Sequence, residues 1–283
     1  PSPEMIVRVL EDEHPDSYLR IVDQLLSSVR YGERWGRHWM DTAGYVDVRL
    51  FDGDAATIYP NDGMWRYRDY IIDSHNEDAP WDSFLTEQLA GDELRDWRND
   101  ILFTEETKKL LTATGYLRNI EDHTSEPQYG VKQRYTVLFD LMEMVSTSLL
   151  GITMQCSRCH DHKFDPITQR EYYQMMAFFE TSYNVQEWLK PQDRWIPDVG
   201  LLRRAEIDQI NTQLDAQIEA LSKQRDEGKK TEQSSGDRAL TEQIKEVESQ
   251  KLEYGKIQAL FTVGKSWESH VLMRGDYRQL GEV

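Results

Sequence analysis

The chain has 283 residues, of which 51 are acidic and 33 basic, giving a formal net charge of −18. This excess of Asp and Glu argues against a nucleic-acid partner, because proteins that bind phosphate backbones gather Lys and Arg. The hydrophobic fraction of 39% is enough for a core. No apolar run approaches the roughly 18 residues that a membrane span needs, and eight Trp and 14 Tyr exclude a wholly disordered chain.

The amino terminus carries no targeting signal. It begins Pro1-Ser2-Pro3-Glu4, without an initiator Met, a charged n-region or an apolar h-region. We therefore expect a fragment of a longer protein, and the missing signal says little about the compartment.

Residues 1–200 are rich in aromatics, and their apolar residues recur mostly at helical spacing. Strand-like alternation is scarce, and its best example is 46–50. We predict a mainly α-helical domain, an irregular multi-helix arrangement with long loops. The last predicted helix opens with a capping box made by Thr168 and Glu171. The predicted helices are 15–29, 32–44, 64–75, 82–89, 135–150 and 169–180.

Residues 201–261 have few aromatics and many Gln, Glu, Lys and Ala residues. Apolar residues recur at spacings of three and four from Ile207 to Leu221, and again from Leu240 to Tyr254. A polar connector containing Gly lies between the two stripes. This pattern predicts an antiparallel helical hairpin or coiled coil. Two interpretations stay open: an arm for self-association or spacing, or a surface hairpin packed on its own domain.

The only two cysteines, Cys156 and Cys159, lie in a Cys-x-x-Cys-His motif that ends at His160. No disulfide framework is available, because both thiols fall within four residues. The spacing is typical of haem c attachment, in which two thiols on one turn bond two vinyl groups and the following His ligates the iron. We therefore predict one covalent haem c held by these three residues.

Two other interpretations of the motif fit its residues less well. Zinc bound by both cysteines, His160 and His162 would need four ligands within seven residues, whereas Cys/His zinc sites split into two separated pairs. A redox dithiol of the thioredoxin type would need a βαβ context, which the sequence lacks.

A covalent haem has a consequence for the compartment. Because haem c is assembled outside the cytoplasm, its presence would place the parent protein in the periplasm or outside the cell.

Five ordered segments resemble one family. Gly32–Asp41 resembles the G-E-R-W-x-x-H-W-L-D signature of a planctomycete-type cytochrome c-like domain family of unknown function. The resemblance covers about residues 5–185. It departs at Gly44-Tyr45-Val46-Asp47, where the family commonly has Arg-Tyr-Ala-Asp. The other matching segments are Trp65–Tyr70, Glu87–Asp92, Thr114–Asn119 and Leu150–Pro166.

The carboxy terminus adds a second resemblance. His270–Tyr277 is similar to the start of the second planctomycete-specific domain that usually follows. The resemblance implies a piece of a large, secreted, multidomain protein, with a cytochrome-like domain at 1–200, the hairpin at 201–261 and the following domain beginning at 262–283.

The second axial ligand of the iron should be His, Met or nothing. His38, on a helix flanked by Trp in a family segment, is the first candidate, and the alternative is a core His bonded to a carbonyl. His123 is the second, and the alternative is an exposed loop residue. Met residues at helical spacing are more often core packing; they are Met142, Met144, Met175 and Met176.

Arg37 and Arg118 are candidate partners for haem propionates, since guanidinium groups match carboxylates, and the alternative is a surface ion pair. A polar cluster follows the motif, and it could hold a propionate, bind a cation or orient the proximal imidazole. Its alternative is a solvated turn. The cluster consists of Asp161, His162, Lys163 and Asp165.

Three functions follow from these observations. The first is electron transfer by a c-type cytochrome domain to an unidentified redox partner. The second is peroxidase-like or other oxidative catalysis at an open haem. The third is a structural module, binding glycan or protein, in which the haem motif is vestigial.

Overall fold

The computed structural model describes residues 2–51, 54–122, 124, 130–230, 235–265 and 267–283. Within them the chain is mainly α-helical, which confirms the predicted fold class. It forms two units. Unit 1 comprises Pro1–Arg95, Lys109–Ile196 and Ile257–Val283, and unit 2 comprises Asp96–Lys108 and Pro197–Lys256. Among the described residues, no helix is long and apolar enough to cross a membrane.

All six helices predicted within residues 1–200 are present, and two more were not predicted. The first of these, α1, begins with Pro3 after a Ser2 side chain that accepts from the backbone N–H of Met5, a recognisable start signal. The eight helices are α1 (Pro3–Glu11), α2 (Ser17–Leu26), α3 (Arg30–Thr42), α4 (Trp65–Asn76), α5 (Trp81–Ala90), α6 (Glu105–Ala113), α7 (Val131–Val145) and α8 (Gln169–Glu180).

The ends of the last two helices bear on the cysteine motif. A π-turn at Ser146–Leu150 continues α7, and Gly151 stops it in a left-handed conformation with φ of 65°. Helix α8 begins at the predicted capping box, in which Thr168 and Glu171 satisfy each other's backbone N–H groups. The motif therefore lies in a connection with a fixed end on each side.

The described residues also form two small two-stranded sheets, the first of which is antiparallel. Strand β1 (Val48–Phe51) overlaps the predicted strand and pairs with β2 (Asp54–Pro60), in a register that sets Val48 opposite Pro60. Strands β3 (Ile196–Pro197) and β4 (Lys256–Ile257) form the second sheet. Strand β2 was not predicted, because its sequence lacks clear alternation.

A buried hydrogen-bond network joins α3, α4 and α5. The indole Nε1 of Trp39 donates to the Tyr67 hydroxyl and to Gln88 Oε1, both at 3.0 Å. The Tyr67 hydroxyl donates to the same Gln88 oxygen at 2.6 Å, and the Gln88 amide donates to the Phe84 carbonyl at 3.1 Å. All three side chains are buried, so each polar group finds its partner without water.

Close packing of α3 on α4 depends on glycine. A methyl group on Gly32 would lie 2.3 Å from the Ile72 carbonyl oxygen, and one on Gly36 would lie 3.2 Å from Ile71. Asn76 fixes the same contact, because its Oδ1 accepts from the Gly32 N–H at 2.8 Å. These glycines let Trp39 reach the core of unit 1.

Among the described residues of unit 1, the side chains of Arg194 and Glu180 are buried. Arg194 is fully buried, donates to the Ser182 and Leu189 carbonyls and stacks on the Tyr183 ring. Desolvation lowers the pKa of Arg194 to about 10. Glu180 is 1% exposed and accepts from the Ser269 hydroxyl. Burial raises the pKa of Glu180 above its ordinary value.

Unit 2 contains the predicted helical pair, α9 (Leu201–Lys230) and α10 (Ser235–Ser249), which pack against each other. Ile207, Leu214 and Ile244 are buried, as the apolar stripes require. Asn211 exchanges two hydrogen bonds with the backbone of Leu252, at 2.8 and 3.0 Å. Part of the predicted connector, residues 231–234, lies outside the described residues.

Residues 257–283 belong to unit 1, and Leu260 and Leu272 lie in its core. That a following domain begins within residues 262–283 stays a prediction.

Gln88→Ala should lower the free energy of unfolding by about 1–3 kcal/mol, because the buried Tyr67 hydroxyl loses its acceptor. Chemical denaturation would measure the difference. Gln174→Ala, at an exposed position of α8, is the matched control and should change stability by less than about 0.5 kcal/mol. Equal stabilities of the two variants would contradict the network's role.

Glu180→Gln should change how stability depends on pH. The pKa of Glu180 is raised on folding from its ordinary value of 4.5, so the folded chain holds a proton that the unfolded chain releases. The wild type should therefore lose stability as pH rises through and above 4.5, and the variant should lose less.

Urea titrations across this pH range would measure the difference between wild type and Glu180→Gln. Glu268→Gln, at an exposed position, controls for the loss of one negative charge. A constant difference between wild type and Glu180→Gln at every pH would count against the burial effect.

Candidate functional site

The Cys-x-x-Cys-His motif forms one short turn between α7 and α8. Residues Gln155–Arg158 make a single turn of 3-10 helix. The backbone N–H groups of Cys159 and His160 both donate to the Cys156 carbonyl, at 3.1 and 3.3 Å. The cysteines are not bridged; Cys156 is exposed and Cys159 is half-buried. The turn therefore holds two thiols and an imidazole within five residues, with neither thiol consumed by a disulfide.

The inner side of this turn is fixed to α8. Met154 and Ser157 are buried beneath it. The Arg158 carbonyl accepts from the Tyr173 hydroxyl at 2.9 Å and from Gln169 Nε2 at 3.0 Å. Because the residue before Cys159 is held by two side chains of α8, the position of Cys159 does not depend on the turn alone.

The ring of His160 is exposed and has one contact that bears on its chemistry. Its Nδ1 lies 2.7 Å from the Asp161 carbonyl oxygen. A carbonyl can only accept, so this contact places the proton on Nδ1 and leaves the lone pair on Nε2. A neutral imidazole fixed in this way is the form that ligates metals, and such a partner also orients the ring.

His162 organises the loop that follows. Its side chain is 5% exposed, and its Nδ1 accepts from the backbone N–H of Asp165 at 2.9 Å. The backbone N–H of His162 donates to the Ile167 carbonyl at 2.8 Å. Asp161 Oδ1 accepts from the Gln169 N–H at 2.9 Å, at the start of α8. The cluster that includes Lys163 thus holds a structured loop, and its Asp161 carbonyl orients the neighbouring imidazole.

The zinc interpretation finds no support in this geometry. Across the described part of the chain, no group of three or more His, Cys, Asp or Glu side chains is arranged to hold a metal. His162 Nδ1 is already occupied as an acceptor for the Asp165 N–H.

The predicted residues on α3 lie on its exposed side. The His38 ring packs on Trp35, at 5.6 Å between ring centroids, and Arg37 Nε lies 3.9 Å from Asp41. Among the described contacts, none joins either residue to the cysteine turn. His123 lies outside the described residues. Their roles toward a haem stay predictions.

Arg118 is half-buried and engaged within unit 1. It donates to the Tyr183 hydroxyl at 3.4 Å and to the Pro191 carbonyl at 3.3 Å. These neutral acceptors fix its position in the core of unit 1. Its predicted role as a propionate partner is untested.

One contact of the cysteine turn comes from the far end of the chain. A methyl group on Gly275 would lie 3.0 Å from Cys159 Sγ. Gly275 has a φ of 72°, and the preceding Arg274 has a φ of 54°. A Gly after a polar residue signals a turn in sequence, but no local signal pairs this turn with residue 159.

Comparison with known proteins identifies one family. A family model described as PSCyt2, a protein of unknown function (DUF1549), matches residues 1–184 of the 283-residue chain. No curated protein matches the chain, and no solved structure matches it.

His162→Ala should loosen the loop that follows the motif, because the Asp165 N–H loses its acceptor. We expect faster hydrogen exchange at Asp165 and a loss of about 1 kcal/mol in stability. Lys163→Ala, at the exposed neighbouring position, is the control. Unchanged exchange at Asp165 in His162→Ala would show that the imidazole does not hold the loop.

Proposed function

The chain belongs to the PSCyt2 family of proteins of unknown function, and from that membership and its cysteine turn we propose that it is a c-type cytochrome domain. It carries one covalent haem and transfers electrons within a larger secreted protein. One observation carries this proposal: two unbridged thiols share a turn with an imidazole whose Nδ1 is held by a carbonyl.

Each residue of the turn has a defined role in this proposal. The Cys156 and Cys159 thiols would each add across a vinyl group, forming a carbon–sulfur bond while the thiol hydrogen passes to the neighbouring carbon. His160 would bind the iron through Nε2. The haem then supplies a reversible one-electron couple, and the protein supplies attachment, orientation and surroundings.

Exposure of the turn suits electron exchange with a partner. Cys156 and His160 are exposed, and the nearby Phe164 side chain is 83% exposed. A haem attached here would have an edge near the surface. The net charge of −18 favours a partner with a basic surface, since opposite charges speed encounter at low salt.

The sequence resemblance supports the same proposal. The segment Leu150–Pro166 carries the whole motif and its polar continuation, and it falls within the matched residues. Because haem c is assembled outside the cytoplasm, the proposal also places the parent protein in the periplasm or outside the cell.

Two other functions remain as alternatives. In an open-haem enzyme, the iron would keep a vacant position for peroxide or an organic substrate. In a structural module, the motif would carry no haem, and the aromatic surface or the helical pair would bind a glycan or a protein.

Haem attachment can be tested by producing the chain with the haem c maturation machinery in the periplasm. We expect a pyridine haemochrome of the c type and an added mass of one haem per chain. Cys156→Ala and Cys159→Ala should each leave a single thioether, and the double variant should carry no covalent haem. His160→Ala should lose most of the covalent product, whereas His14→Ala, at an exposed position, should not.

A wild-type chain that folds in the periplasm without added mass or Soret absorbance would refute the cytochrome proposal. If haem is present, carbon monoxide separates the first two functions: rapid binding to the reduced protein indicates an open iron, and no binding indicates a carrier with both axial positions filled. In that second case, His38→Ala should permit carbon monoxide to bind if His38 is the distal ligand.

A further inference from the structure

The carboxy-terminal residues 271–282 form a hairpin. Leu272 pairs with Leu280 in an antiparallel bridge, the Met273 N–H donates to the Gln279 carbonyl at 2.9 Å, and the Gly281 N–H donates to the Val271 carbonyl at 2.7 Å. Val271 and Leu272 anchor the hairpin in the core of unit 1. All twelve residues lie beyond the 184 that the family model matches.

Gln169 attaches this hairpin to the cysteine turn. Its side-chain amide donates to the Arg158 carbonyl at 3.0 Å and to the Leu272 carbonyl at 3.1 Å. Next to it on α8, Arg170 pairs with Glu282 at 2.7 Å. The first two residues of α8 thus bind the turn and both strands of the hairpin together.

The hairpin tip touches one cysteine of the motif. A methyl group on Gly275 would lie 3.0 Å from Cys159 Sγ, tighter than an ordinary van der Waals contact, and 3.4 Å from Arg158 Cγ. The left-handed φ of 72° at Gly275 also disfavours a side chain. Arg274, with a φ of 54°, adopts a conformation that costs energy and that often marks functional sites.

We propose that the hairpin 271–282 completes the cysteine site and that Gly275 is a positioning residue for Cys159. The hairpin covers one side of the Cys159 sulfur, while Cys156 stays open. The two thiols are therefore unequal: Cys156 reacts first, and Cys159 bonds only on the side that the hairpin leaves free. The extension of this inference to haem attachment rests on the proposed function, whereas the inequality of the thiols does not.

Thiol alkylation of the haem-free protein tests the inference directly. With limiting iodoacetamide and peptide mapping, Cys156 should be modified faster than Cys159 in the wild type. In Gln169→Ala and in Gly275→Ala, the rate at Cys159 should rise about twofold to tenfold, the opening expected from the loss of one hydrogen bond or a comparable contact. The rate at Cys156 should not change.

Two matched variants control for folding and for the substitutions themselves. Gly44→Ala introduces a methyl group at another left-handed glycine, with φ of 68° and no atom within 4 Å, outside the segment that carries the motif. Gln174→Ala removes an exposed amide from the same helix as Gln169. Neither should change the ratio of the two rates. Equal reactivity of the two wild-type thiols, or an unchanged ratio in Gln169→Ala, would overturn the inference.

A second measurement concerns the haem-loaded protein. After maturation, Gly275→Ala should carry haem bonded mainly through Cys156, whereas Gly44→Ala should carry both thioethers. A wild type that binds no haem would refute the proposed function while the alkylation result still stands. A wild type and a Gly275→Ala variant with equal double attachment and equal thiol rates would refute the role of the hairpin.

Discussion

A shared hydrogen bond at Gln88 Oε1 is the interaction on which the rest of unit 1 depends. It accepts from Trp39 and from Tyr67, so α3, α4 and α5 cannot separate without leaving a buried donor unpaired, which costs more than the bond contributes. Trp39 then packs edge-on against Trp81 and Phe84, with centroids 5.3 and 5.1 Å apart. Trp39, Tyr67 and Gln88 belong to three of the segments that resemble one family. Packing in the core therefore explains these residues, without a role in binding or reaction.

The cysteine turn differs from this network because it combines buried supporting residues with accessible side chains. Its inner residues are buried and its backbone is bonded to α8, whereas Cys156 and His160 are exposed and Cys159 is half-buried. Neither thiol is bridged, and the one fixed ring atom of His160 is the Nδ1 that a metal would not use. Rigid support beneath accessible reactive groups is the arrangement expected of an attachment site.

Two arginine side chains of unit 1 are engaged within its core. Arg118 and Arg194 donate to carbonyl and hydroxyl oxygens inside unit 1, and the role of Arg118 toward a haem propionate stays a prediction. Burying a cation costs free energy of desolvation, and hydrogen bonds from several of its donors together with stacking on aromatic rings offset part of that cost. Arg194 stacks on Tyr183 in this way. These residues therefore stabilise the core around the site, whatever the site binds.

The sequence alone determined the local features: the helical class, the capping box at Thr168, the apolar stripes of the helical pair and the identity of the reactive turn. Each depends on residues within one or two turns of one another, so periodicity and spacing are sufficient. Only the tertiary structure decided that Gln88 joins Trp39 to Tyr67, that His38 lies on an exposed helix face and that Gly275 touches Cys159. Tyr67 and Gln88 are 21 positions apart in the chain, and Cys159 and Gly275 are 116 apart. No local pattern encodes which distant surfaces meet, because that choice is made by the packing of the whole core.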